Sequence, residues 1–288
     1  MLNYTIDGFN LHQPAAGFKV LESTTFAPQI SPNRVNLRIP RMHGQIALWD
    51  DELTEAKLRI RVRVTGSNAA DLQMRWDHLR RTMGTGRNVG LTIRRESGTA
   101  TNPTVTSTFA QLETMSEPDF YCPTNMVDTE IIFNIPSGRW ESIQSFDYTF
   151  TNYSTAQNVP FVAQSTAPHV SLLIRLRGPL TANNAWVRLF DETNNTAIHI
   201  RPNTTFTADQ WVIYDDQTRR MWLNDTDDFD ARQTLLGGAY VTSLESGFLS
   251  LVPNPSFQIG QSTSQIRCSR SASANQVQVT LRGRRSFI

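Results

Sequence analysis

The chain is poor in the residues that usually announce a chemistry. It has two cysteines, Cys122 and Cys268, far apart and outside any CxxC pair. That usage excludes a disulfide framework and a thiolate zinc site, and leaves free buried thiols as the expectation. Only Lys19 and Lys57 are lysines among 27 basic residues; the rest are arginines. The planar arginine fork suits paired, partly buried carboxylate contacts such as subunit interfaces provide, although a coding bias toward arginine produces the same composition. The 26 acidic residues leave a formal net charge of +1. No global field therefore draws the chain to nucleic acid, membrane or an acidic ligand, and any charge argument is local. Nothing approaches the ~18 apolar residues of a membrane span, and no basic stretch followed by an apolar run and a cleavage site opens the sequence. Assembly in a cytoplasm is the expectation.

Catalytic and metal signatures are equally scarce. His12, His43, His78, His169 and His199 are scattered, with no HxH or HExxH pair to place two imidazoles on one metal. The run Asp225, Asp227, Asp228 and Asp230 resembles the start of a calcium loop. Phe229 and Ala231, however, stand where such a loop needs an oxygen ligand and a turn glycine, and its bidentate glutamate is missing. Gly84, Gly86 and Gly90 follow a helix instead of leading into one, so they read as a C-cap and turn and not as a phosphate cradle. No GxSxG elbow occurs. A pair of carboxylates for glycoside hydrolysis is a three-dimensional fact that the sequence does not reveal. The chain reads as a non-enzyme, with no catalytic, metal or cofactor residues assigned.

Architecture is more legible. With 288 residues and 39% hydrophobic content, the chain can fill two ordinary cores. Leu58, Ile60, Val62 and Val64 alternate with Arg59, Arg61 and Arg63, the period of a half-buried strand. Ser67 and Asn68 are candidate N-caps, and Leu72, Trp76, Leu79 and Met83 recur at helical spacing until Gly84 stops the run. Strand period resumes at Val89, Leu91 and Ile93, and continues through Thr104–Phe109 and Thr129–Ile135. From Gly138 to Ala167 the composition turns to Ser, Thr, Asn and Gln, which places a domain boundary near residue 150. Beyond it come short strands at regular spacing: 170–176, 186–190, 197–200, 211–214, 221–223, 248–251 and 276–281. Turn residues such as Asp215-Asp216-Gln217-Thr218 separate them, which predicts an antiparallel sandwich. The fold class is mainly β: an N-terminal β-sandwich or barrel-like domain with one α-helix (1–150) and a C-terminal antiparallel β-sandwich (151–288).

The arginine row is the most informative polar feature. Three like charges on alternate positions repel unless something negative lies opposite, and that can be a neighbouring strand, another subunit or nucleic acid. The inter-subunit reading predicts that Arg61→Glu weakens oligomerisation and leaves the fold intact. Trp186, Trp211 and Trp222 could build a sugar-stacking platform, but Trp211 and Trp222 lie in apolar strands and are expected in the core.

These residues resemble a known family across nearly the whole chain. Arg38-Ile39-Pro40-Arg41-Met42-His43-Gly44, the alternating strand, the helix ending at Gly84 and the strand at Val89 look like the N-terminal domain of the distal tail (Dit) proteins of long-tailed phages. Members often carry a Pro-Gly-Arg-Asp-Gly turn; here the proline and the last glycine match, while Arg41 and His43 replace the first glycine and the acidic residue. Phe133-Asn134-Ile135-Pro136-Ser137-Gly138-Arg139-Trp140 is similar to the segment that closes that domain. In the second half, Leu172–Pro179, Trp186–Asp191, Gln210–Asp215 and Arg219–Asn224 follow the strand order of the galectin-like sandwich often attached to such proteins. The resemblance implies a structural virion protein of a siphovirus tail tip or baseplate. Six copies would close a ring, with the tail tube protein above and a trimeric tail-associated protein below. Receptor-binding or peripheral baseplate proteins would lie outside, with DNA only in transit and no cofactor or membrane. Arg38, Arg41, Gly44, Arg59, Arg61 and Arg63 are the nominated subunit-interface residues. The alternative is a carbohydrate-binding host-recognition module, against which the galectin sugar signature His-x-Asn-x-Arg is absent; His199-Ile200-Arg201-Pro202-Asn203 has related letters in another order.

Overall fold

The structure, a computed structural model, describes residues 3–22, 24, 29–37, 46–84, 90–99, 102–116, 119–121, 125–166, 169, 172–192, 195–238, 240–243, 251, 254–255 and 262–287. It divides into two units, 1–143 with residue 288, and 144–287. The sequence reading put the boundary near residue 150. Both units are mainly β with antiparallel pairing, and one long helix stands in the first, as the fold class predicted.

In the first unit the strands are β1 (Asn3–Ile6), β2 (Phe9–Asn10), β3 (Phe18–Val20), β4 (Gln29–Leu37) and β5 (Ile46–Thr65), followed by helix α1 (Ala69–Gly84). Then come β6 (Leu91–Thr99), β7 (Asn102–Met115), β8 (Asp119–Tyr121), β9 (Met126–Ile135) and the start of β10 (Trp140–Thr149). β7 turns a corner: Asn102–Ala110 pair with β6, and Gln111–Met115 pair with β9, with a register shift between Leu112 and Thr114. A bulged strand shared in this way carries one sheet into the next and closes a core between them. β5 lies against β9 in register from Ala56↔Ile135 to Thr65↔Met126. Their inward residues Leu58, Ile60, Val62, Val64, Val127, Ile131 and Phe133 are all fully buried.

Helix α1 begins where the capping residues predicted. The Asp71 amide donates to Asn68 Oδ1 at 2.9 Å, and the Ser67 amide and hydroxyl donate to Asp71 Oδ2 at 2.8 and 2.9 Å. Each bond satisfies a donor left over by the first turn or its approach. The backbone bond from Ser67, with the Ser67 hydroxyl second, holds the Asp71 carboxyl below the usual carboxylate range. Leu72, Trp76, Leu79 and Met83 form the buried stripe.

The second unit is a sandwich. One sheet runs β17 (Thr234–Leu235), β16 (Arg220–Asn224), β15 (Trp211–Asp215), β12 (Leu173–Arg177), β22 (Gln278–Phe287) and β10. The other runs β11 (Ala156–Gln157), β21 (Ile266–Arg270), β13 (Val187–Asp191), β14 (Thr196–Arg201) and β18 (Tyr240–Ser243). A short pair, β19 (Asn254–Pro255) and β20 (Ser262–Thr263), and a one-turn helix α2 (Pro160–Ala163) complete it. Ile174, Leu176, Val212, Tyr214, Val279 and Leu281 from the first sheet meet Val187, Leu189, Ile198, Ile200, Ile266 and Cys268 from the second in one core. Burial raises the Cys268 thiol far above its usual range, so this cysteine is a packing residue. Cys122 lies outside the described residues.

Candidate functional site

Arg59, Arg61 and Arg63 project from the outward face of β5, because their neighbours Leu58, Ile60, Val62 and Val64 are spent on the core. The register places Arg63 opposite Asp128, Arg61 opposite Glu130 and Arg59 opposite Ile132. Arg63 grips Asp128 with two parallel bonds, Nε to Oδ1 at 2.7 Å and Nη2 to Oδ2 at 2.8 Å. The Asp128 side chain is 7% exposed and that of Arg63 36%, so the fork is half sheltered from water. Lys57, one step further along the same face, bonds Glu113 Oε1 at 2.6 Å. Two cations of this face are therefore paired within the chain, Arg63 by β9 and Lys57 by β7, and Arg59 stands opposite the aliphatic Ile132 on the β9 ladder.

Of the six nominated interface residues, these three share one strand face. Arg38, Arg41 and Gly44 lie outside the described residues. Sequence reasoning missed Asp128 as the partner of Arg63 and Glu130 as the residue opposite Arg61. The alternation Asp128, Glu130, Ile132, Asn134 within Met126–Ile135 was the available signal, since it presents two carboxylates on the face opposite Val127, Ile131 and Phe133.

The β4–β5 pairing carries a second feature. Ala56 is the last β5 residue to pair with β9, yet β4 and β5 continue together from Pro32↔Leu53 to Leu37↔Ile46. Among the described residues, no third strand joins this stretch. Among the described residues it is a two-stranded ribbon with both edges open.

Beside α1 a groove of about 610 Å³ is lined by Phe18, Gln73, Met74, Asp77, His78 and Arg81, among others. Phe9 stacks edge-on with both Phe18 and His78 at 5.1 Å, and Met74 is 66% exposed. The carboxylates of the Asp225–Asp230 run do not converge: among the described residues, no group of three or more His, Cys, Asp or Glu side chains could hold a metal ion. Trp211 and Trp222 are half-buried instead of lying in the core. Trp222 faces outward because Met221 and Leu223, on the other face of the strand, pack on the core, and the Arg232 guanidinium lies 4.6 Å from its ring centroid. No described helix is long and apolar enough to cross a membrane.

No family model and no curated protein matches this chain. Solved structures similar to it include two of a phage baseplate. One is a chain of the phage P2 baseplate in its activated conformation with calcium: 10% identity, 98% of each chain covered, TM-score 0.41. The other belongs to the same baseplate with strontium: 10% identity, 97% of this chain and 98% of that one, TM-score 0.36. At that level of superposition the likeness decides neither fold nor function.

Proposed function

We propose that the chain is a non-enzymatic structural protein of a phage tail tip, a distal tail hub whose first unit closes a hexameric ring. The tail tube protein would sit above it and a trimeric tail-associated protein below, and DNA would pass through the ring without being held. The galectin-like second unit would face peripheral baseplate or receptor-binding proteins. The protein would thus be made in the host cytoplasm and end in the virion.

The observation that carries this reading is the open ribbon of β4 and β5. An isolated two-stranded ribbon is marginally stable in water, and its unpaired amides and carbonyls are a template for another chain. A protein that extends such a ribbon needs a surface to lay it on. If that surface belongs to the next copy, the contact is heterologous, and a rotation that closes gives a ring of fixed size. The charged β5 face and the element order of the first unit support the same reading. Light scattering on the purified protein, with images of the same peak, tests it. The expected species has six times the 32.5 kDa chain mass, about 195 kDa, and an annular projection. A monomer would remove the self-closing ring.

A further inference from the structure

The second unit presents a feature the ring does not use. On the β21–β13–β14 sheet the inward positions Val187, Leu189, Ile198, Ile200, Ile266 and Cys268 belong to the core. Alternation turns Arg188, Phe190, His199, Arg201 and Arg267 outward, and Trp186, between the buried Ala185 and Val187, joins them. Arg188 stands directly across the ladder from His199. The Trp186 and His199 rings pack 5.2 Å apart at 34°, and the Arg188 guanidinium lies 5.0 Å from the Phe190 centroid. Trp186, Arg188, His199 and Arg201 are all half-exposed.

Arg188 forms no ion pair among the described residues, while at the edge of the same face Arg267 is paired with Glu192. The middle of the face is therefore an aromatic plate bordered by cations. Burial, then the charges of Arg188 and Arg201, lower the His199 pKa, which keeps this imidazole neutral and leaves the charge to the arginines. His199 also packs against the indole, a contact already made without ligand, and such a contact reduces the ordering cost of binding.

We infer that this face binds an acidic saccharide, with the Trp186 indole against a sugar ring and the guanidinium of Arg188 on its carboxylate or phosphate. The apolar face of a pyranose fits a flat ring, and the arginine fork matches a planar or tetrahedral oxyanion. A nucleic-acid strand would need a longer basic track than one interrupted by the Arg267–Glu192 pair. The inference rests on the second unit alone and holds whether or not the chain forms a ring.

Calorimetry on the full chain at about 0.15 M salt tests it with four probes. These are an oligogalacturonate, a glycosylated glycerol-phosphate oligomer, neutral maltotetraose and sugar-free polyphosphate. An acidic saccharide is expected to bind at least about tenfold more tightly than maltotetraose or polyphosphate, and Arg188→Gln and Trp186→Ala each to weaken it about tenfold or more. Trp186→Phe keeps a ring in place and serves as the reading if the alanine variant melts early. Failure of both acidic saccharides, equal binding of polyphosphate, or unchanged affinity in Arg188→Gln and Trp186→Phe with wild-type melting would overturn the assignment.

Discussion

The guanidinium carbon of Arg282 lies 3.9 Å from the centroid of the Phe229 ring, and Phe229 is 2% exposed although every other residue from Asp225 to Asp230 is exposed. Arg175 approaches the same ring at 4.6 Å and is ion-paired with Asp227. Arg282 is also held by Asp147 through bonds of 2.6 and 2.8 Å. A loop that reads as a string of carboxylates is thus fastened to the sheet by one aromatic plug and two arginines. Phe229→Ala is expected to destabilise the second unit by about 3 kcal/mol, from lost burial plus the cavity left behind, and Phe229→Leu by less. Thermal unfolding measures both, and an alanine variant that melts with the wild type would show that the plug holds nothing.

A buried acid gives the second unit a pH dependence. Asp216 is 3% exposed, its Oδ1 accepts a 2.9 Å bond from the Tyr214 hydroxyl, and desolvation pushes its pKa up to about 6. Burial likewise raises the Tyr214 hydroxyl, so it stays a donor. Between the unfolded value of 3.8 and about 6, the folded chain holds a proton that the unfolded chain has released. The stabilising contribution is therefore complete below pH 3.8 and lost as the pH rises through about 6. At ~1.36 kcal/mol per pKa unit, the loss is on the order of 3 kcal/mol. Asp216→Asn, which retains an acceptor for Tyr214, is expected to be more stable than wild type above pH 6 and to lose that advantage as the pH falls. Denaturant midpoints across the range, compared between the two proteins, check it.

The β5 arginines divide into two kinds with opposite tests. Asp128 is buried and stands in register between Arg63 of β5 and Asp119 of β8, and it is the fork partner of Arg63, so Asp128→Ala leaves that half-sheltered guanidinium without its two parallel bonds. A cost of about 2 kcal/mol in stability is expected. Arg59 faces Ile132, so reversing it creates no like-charge pair across the ladder and should change stability by no more than ~0.5 kcal/mol. Arg61 is a poorer probe than the sequence alone implied, since Arg61→Glu would set two carboxylates opposite one another at Glu130. If the β5 face meets another subunit, Arg59→Glu should lower the assembled fraction in light scattering while the melting temperature holds. An unchanged mass would place the interface elsewhere.

What could be read from the sequence followed how local each signal is. Helix α1 was legible to its caps because Asn68 and the four buried residues from Leu72 to Met83 encode it within one stretch of chain. The 57–65 part of strand β5 was legible because both of its faces are pure in type there, whereas the 46–55 part mixes acidic and apolar residues on both faces. The stretch after Gly138 read as a polar boundary, yet Trp140–Thr149 is a strand whose Trp140 is fully buried and lies 4.5 Å from the Arg95 guanidinium. Its Ser and Gln residues hid the alternation, since only Trp140 and Ser142 are buried in its first turns of pleat. The counter-ions of the arginine row, and the role of Phe229, depend on pairing between residues more than 50 positions apart, as for Arg63 with Asp128 and Arg175 with Asp227. The acidic face of β9 was visible locally, but which strand it pairs with was not.

The open ribbon gives the sharpest test of assembly. Val35 pairs with Leu48 in the part of the β4–β5 ribbon that no third described strand joins. Proline there removes one backbone donor and stiffens an edge without touching the core built on Leu58, Ile60, Phe133 and their neighbours. If the ribbon were only a surface arm, Val35→Pro would leave both the melting temperature and the mass of the protein as they were. If it lies on the next copy, the unit should melt close to wild type while the ring fraction falls, because what is lost is a contact between chains and not one within the fold. Adding protein should then partly restore the ring, since association follows mass action and folding of the unit does not. A loss of mass together with a large drop in melting temperature would instead tie the ribbon to the stability of the unit that bears it.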